Sequence, residues 1–168
     1  MVRNSLAARR RTDNRPPAQV AVAGGGQCPP PVARLATALG SALADLGAIV
    51  VCGGLGGVMA AVARGARRHG GTVVGILPAY DRRSGNRYLS VSIPSGLGHG
   101  RNVLVAAAGD VLVALPGAAG TLSEIAFALR LGRPVIGLGA WTGISGVQTV
   151  ADVPAAIAAV QAALARRV

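Results

Sequence analysis

The sequence predicts an α/β chain built as three layers, with helices on both faces of a doubly wound, mostly parallel sheet. Three observations predict it. Short runs such as 48–52 and 111–115 are apolar throughout, as expected of strands buried on both faces. Glycine- or proline-containing turns end these runs. Between them lie stretches with apolar residues at helical spacing, long enough for the crossovers that parallel neighbours require.

Taken in order, 19–23 (QVAVA) is a first strand, ending at Gly24, Gly25 and Gly26. Pro29-Pro-Pro31 starts a helix, because proline is tolerated in a first helical turn. That helix runs over 32–46 and stops at Gly47. The second strand is 48–52, the second glycine turn is 53–57, and a second helix covers 58–69 before Gly70-Gly71. Residues 72–77 form a third strand closed by Pro78. The polar, basic segment 79–87 reads as a mobile surface loop, 89–93 as a short strand and 94–100 as a turn. A helix over about 101–108, a strand at 111–115 and a helix over about 121–131 follow. The strand 135–138 comes next, then an irregular, glycine-rich stretch over 139–152 that holds the lone Trp141. Asp152 caps a last, alanine-rich helix.

In such a sheet ligands sit beyond the carboxyl ends of the strands, where the turns at 24–26, 53–57 and 117–120 all fall. A strand feeding a helix through small residues leaves backbone N–H groups free for a phosphate or another anion. Glu124, the only glutamate in the chain, stands a few residues into the last of these helices. Thr121 and Glu124 also have the spacing of a capping box, the structural alternative to a role at a ligand.

Composition narrows the partners. The net charge is +11 with no lysine at all, so every basic residue is arginine. This excess attracts phosphorylated molecules. The near absence of aromatic residues for base stacking argues against nucleic acid and for a small anionic ligand. Without lysine there is no P-loop. No dinucleotide fingerprint is complete either: the third glycine position is Pro29 after the first strand and Met59 after the second. Cys28 and Cys52 make neither a disulfide framework nor a metal motif. The reading therefore calls for no metal and no resident cofactor. No apolar run reaches membrane-spanning length, and the expected location is cytoplasmic. Residues 1–17, with five arginines, are expected to form a disordered tail before a single domain over 18–168.

The segments GGLGGVMAAVARGARRHGGTVVGILP (53–78) and PGAAGTLSE (116–124), in that order, resemble the Lonely Guy (LOG) superfamily. The length and the segment GILP…IPSGLGHGRN are similar to its branch of molybdenum cofactor carrier proteins. The resemblance implies a Rossmann-like fold, a phosphorylated nucleotide-like ligand and a homo-oligomer, dimer or tetramer. It implies one of two activities: hydrolysis of the N-glycosidic bond of nucleoside 5′-monophosphates, or non-catalytic carriage of a nucleotide or molybdenum cofactor. Carried over by position, Arg101 and Glu124 are the catalytic candidates. The ligand-binding candidates are Gly24, Gly25, Gly53, Gly54, Gly56, Gly57, Met59, Arg101, Asn102, Pro116, Gly117, Ala118, Gly120 and Thr121. Ala118 stands where the family motif has glycine, and Asn102 where it commonly has lysine.

Overall fold

The structure is a computed structural model that describes residues 16–166. The arginine-rich tail expected over 1–17 therefore lies, except for Pro16 and Pro17, outside the described residues. Among the described residues seven strands and five α-helices follow in the order β1 (Gln19–Ala23), α1 (Pro30–Asp45), β2 (Ile49–Cys52), α2 (Gly57–Arg68), β3 (Val73–Leu77), β4 (Val91–Pro94), α3 (Asn102–Ala108), β5 (Val111–Ala114), α4 (Ala119–Arg130), β6 (Val135–Leu138), β7 (Val147–Val150) and α5 (Val153–Ala165). Short 3₁₀ turns at Arg82–Ser84 and Gly98–Arg101 complete the pattern. The strands lie in the order β4-β3-β2-β1-β5-β6-β7, and every neighbouring pair is parallel.

Alternation along the central strands builds two cores. Val20 and Val22 of β1, with Val111 and Val113 of β5, face α1, α2 and α5. Ala21, Ala23, Leu112 and Ala114 face α3 and α4 instead. Both faces of these strands are dry, which explains why their sequences carry no polar alternation. Helices α1 and α2 touch backbone to backbone. A Cβ at Gly40 would fall on the Val62 carbonyl oxygen, and one at Gly65 on that of Thr37.

Three expectations change. The irregular stretch 139–152 contains β7, an edge strand whose Gln148 and Thr149 are exposed. Half-solvated and only four residues long, it lacks the apolar run that marks the inner strands. The loop 79–87 lies on the surface, as expected, and gains local order there. It holds a 3₁₀ turn capped by Asp81, whose carboxylate accepts from the Arg83 N–H at 2.9 Å. The side-chain amide of Asn86 donates to the Gly54 and Leu55 carbonyls at 3.1 and 2.9 Å. Finally, α4 begins at Ala119, two residues earlier than the spacing suggests.

Candidate functional site

The winding reverses between β1 and β5, the switch point at which open α/β sheets form a crevice. The turns that line it are laced together. Leu115 N–H donates to Ala23 O at 2.9 Å, Gly25 N–H to Pro116 O at 3.1 Å, and Val58 N–H to Gly25 O at 2.9 Å. This lacing leaves no space for side chains. Gly57 has φ +58°, and a Cβ there would press on the Gly25 and Gly26 backbone. A Cβ on Gly24 would strike Val58, and one on Gly117 would strike Thr121 and come within 2.9 Å of the Gly25 nitrogen. At Gly53 it would fall on the Arg101 guanidinium and the Met59 sulfur. Gly54, at φ +75°, lies against Leu77 instead. A Cβ on Gly56 would come within 3.1 Å of Gly26 O. Gly120 differs, since its nearest neighbour would be Asn102 Nδ2 at 4.0 Å, so its missing side chain leaves open surface.

Two helix N-termini face this crevice without a side-chain cap, at Gly56 before α2 and at Ala118 before α4. Neither helix has an acidic residue in its first turn. Away from the switch point α5 is capped, with the Asp152 carboxylate accepting from Ala155 N–H at 2.9 Å. Uncapped amides and the positive ends of two helix dipoles make a place for an anion. Gly117, Ala118, Ala119 and Gly120 are all exposed there. Ala118 takes φ −119° and ψ −154°, extended backbone that alanine adopts freely.

The early start of α4 overturns the capping-box alternative. Thr121 lies inside the first turn rather than at the cap, and Glu124 sits one further turn along, buried. Glu124 accepts no hydrogen bond among the described residues; its partner is Arg101, with Nη1 to Oε1 3.6 Å. Arg101, on the second 3₁₀ turn, is buried too and donates from Nη2 to Gly53 O at 3.2 Å and from Nη1 to Asn102 Oδ1. Its buried Nε, like those of Arg64 and Arg133, has no hydrogen-bond partner among the described residues. Asn102 Nδ2 in turn donates to Ser123 Oγ at 2.8 Å and Gly120 O at 3.3 Å. A buried pair, one amide and one hydroxyl thus join the turns after β2 and β5.

Burial pushes the Glu124 carboxyl up to about 7, and the Arg101 charge holds it back from rising further. Burial likewise lowers the Arg101 pKa, against the pull of Glu124. Between the ordinary carboxyl range and about 7, the folded chain holds a proton on Glu124 that the unfolded chain has lost. This group therefore destabilises the fold progressively as pH rises through that window, and fully above it. Glu124→Gln is expected to flatten that slope in urea unfolding measured from pH 4.5 to 8. A slope unchanged in the variant would refute the assignment. The Cys52 thiol is pushed up to about 11 by burial and is inert at neutral pH.

Sequence spacing missed three residues here. Ser123 orients Asn102, Asn86 ties the β3–β4 connection to the second glycine turn, and Trp141 donates from Nε1 to Leu115 O at 2.8 Å. Each acts across 21 to 32 positions of chain, so no local pattern marks it. Asn86→Ala removes three side-chain hydrogen bonds, counting the one its Oδ1 accepts from Tyr88 N–H at 3.0 Å. It is expected to cost about 1–3 kcal/mol, read as a lower denaturant midpoint.

Other candidates stand apart. His99 is exposed on its 3₁₀ turn, and His69 pairs with Asp45 at 2.9 Å between the ends of α1 and α2. Asp110 accepts from Gln19 N–H at 2.8 Å, at the amino end of the sheet opposite the crevice. Among the described residues no group of His, Cys, Asp and Glu gathers to hold a metal, and no helix is long and apolar enough to cross a membrane.

The model of the SLOG cluster4 family matches residues 17–164. An uncharacterized protein of Archaeoglobus fulgidus is 41% identical over 120 residues, 71% of this chain and 79% of that one. The molybdenum cofactor carrier protein of Chlamydomonas reinhardtii superimposes with TM-score 0.83 at 33% identity, covering 90% of this chain and 99% of that one. The molybdenum cofactor binding protein of the phototrophic bacterium Rippkaea orientalis does so with TM-score 0.82 at 28% identity, over 90% and 99%.

Proposed function

We propose, from the premise that this chain belongs to the SLOG cluster4 family, that it is a carrier of a phosphorylated, nucleotide-like small molecule of the molybdenum-cofactor kind. The observation that carries the reading is the pair of uncapped helix N-termini at the switch point, with the unpartnered Nε of buried Arg101 behind them. A phosphate would take the open amides at the start of α4, beside the positive end of α2, whose Val58 N–H is already given to Gly25 O. Arg101 would supply full charge, and Asn102 and Thr121 would orient the rest of the molecule. The two molybdenum cofactor proteins that share the fold over nine-tenths of the chain support that ligand class. A homo-oligomer belongs to the same reading.

The test is thermal unfolding of the full chain with molybdenum cofactor, AMP, adenosine and inorganic phosphate. Phosphorylated ligands should stabilise the fold by about 2.7 kcal/mol at a hundred times their Kd, and adenosine should not. Equal shifts with AMP and adenosine, or none with any phosphorylated ligand, would overturn it.

Glu124 supports a second reading, hydrolysis of a nucleoside 5′-monophosphate. A buried, uncapped carboxyl held near neutrality beside an arginine is suited to exchanging a proton with an attacking water. It is a single carboxyl, where glycoside hydrolysis ordinarily uses two. Release of free base from AMP, lost in Glu124→Ala, would establish catalysis. Stabilisation with no base released would leave the carrier.

A further inference from the structure

Among the described residues, Glu124 is held by charge and not by a hydrogen bond. Arg101 turns its donors elsewhere, Nη2 to Gly53 O at 3.2 Å and Nη1 to Asn102 Oδ1, and stands 3.6 Å from Glu124 Oε1. The two side chains are 9% and 7% exposed, so water does little to stabilise either ion. No second cation shares the task. Cys52 of β2 is the other titratable group whose charge would reach Glu124, and burial keeps it a neutral thiol. The strands β1, β5 and β6 and helix α3, which also pack on α4, carry no titratable residue. On α4 itself Arg130 is exposed, as is His99 on the second 3₁₀ turn.

The guanidinium that keeps Glu124 ionised is thus the one assigned above to the ligand's anion. The two demands on it meet at short range. Glu124 lies four to five residues beyond Gly120 and Ala119 on one helix, about 6–8 Å of helical rise. Side chains on a helix lean toward its amino end, so Glu124 points back toward that first turn. An anion bound there acts on the carboxylate twice. It repels it across a medium of low dielectric, and it draws away the one positive charge that offsets its burial.

We propose that ligand binding in this crevice is proton-linked: the arriving anion takes Arg101 from Glu124, and the Glu124 carboxylate takes up a proton from solvent. The inference rests on the anion site of the proposed function. Charge is conserved around Arg101, because the bound anion replaces the carboxylate as its counter-ion. The coupling is reciprocal, so removing the proton from Glu124 favours release. The free carboxyl sits at about 7, and the anion raises it further. Well below 7 Glu124 is protonated with or without ligand, and affinity is highest. Affinity falls as pH climbs from the free value to the bound one, then levels. A carrier built this way loads on the acid side of neutrality and unloads on the alkaline side.

Isothermal titration calorimetry of AMP into the full chain at pH 7.5, in two buffers of different ionisation enthalpy, counts the protons. The second phosphate ionisation of AMP lies near 6, so the ligand is already a dianion and the protein supplies the signal. If the anion raises the proton affinity of Glu124 about tenfold, uptake should be about 0.5 proton per AMP, and Kd should rise about threefold between pH 7.5 and 9. Glu124→Gln should bind AMP with uptake near zero and a level pH profile, whereas His99→Ala should keep the wild-type uptake. AMP binding by the wild type without proton uptake, or an uptake that persists in Glu124→Gln, would overturn the proposal and leave the anion site standing. Failure of the wild type to bind AMP would overturn the anion site and the proton linkage together.

Discussion

Replacing Arg101 with Met is expected to lower stability by about 3–5 kcal/mol at pH 8, the range seen when one partner of a buried ion pair is removed. The same variant should lose all stabilisation by phosphorylated ligands. The cost arises in part from Gly53 O and Asn102 Oδ1, which lose their donor, and in part from Glu124, left buried with no hydrogen bond and no counter-charge. Its carboxyl escapes by taking a proton, so the penalty should shrink at pH 5, where it is neutral. Chemical denaturation at the two pH values distinguishes this account from simple loss of packing, which would cost the same at both. Adding Glu124→Gln to Arg101→Met should restore much of the stability and none of the binding. A double variant that regains ligand stabilisation would show that the guanidinium is not what holds the anion.

The second large effect is expected at Gly57. Alanine there meets a left-handed backbone, unfavourable by about 1–2 kcal/mol, and overlap with the Gly25 and Gly26 backbone costs a further ~1–3 kcal/mol. Neither obstacle is the end of a flexible side chain. Gly57→Ala should therefore lower the denaturant midpoint sharply and open the contact between the first two glycine turns. Gly120→Ala is its counterpart. In the first turn of α4, with open space around it, alanine should hold or slightly raise stability while its methyl group intrudes on the anion cradle. Affinity for AMP should fall in that variant with the melting temperature of the free protein unchanged or higher. If both variants behave alike, the distinction between packing glycines and cradle glycines is wrong.

Much of the architecture could be read from residue order because burial on both faces makes the inner strands uniformly apolar. Gln19–Ala23 and Val135–Leu138 fall where the apolar runs indicate. The edge resisted for the same physical reason, since β7 has one wet side and two polar residues in four. At the site, local spacing suggested a box between Thr121 and Glu124, but helix α4 starts at Ala119, with extended Ala118 as its cap residue. That shift of two residues takes Glu124 away from a capping role and sets it against Arg101. The joining of Arg101 to Gly53, across 48 residues, depends on the strand order and not on any short motif. The supporting contacts of Asn86 and Ser123 are of the same long-range kind.

Trp141 carries one further consequence. It is the only residue other than glycine with a left-handed backbone among those described, at φ +68°, and its indole N–H is fixed on Leu115 O, one residue before the Pro116–Gly117 turn. It is also the single tryptophan of the chain. The tryptophan emission of this protein therefore has one source, anchored beside the Pro116–Gly117 turn at the switch-point crevice. A change in emission colour or intensity when that turn is loaded needs no label and no averaging over other indoles, so the molecule is its own optical gauge of occupancy.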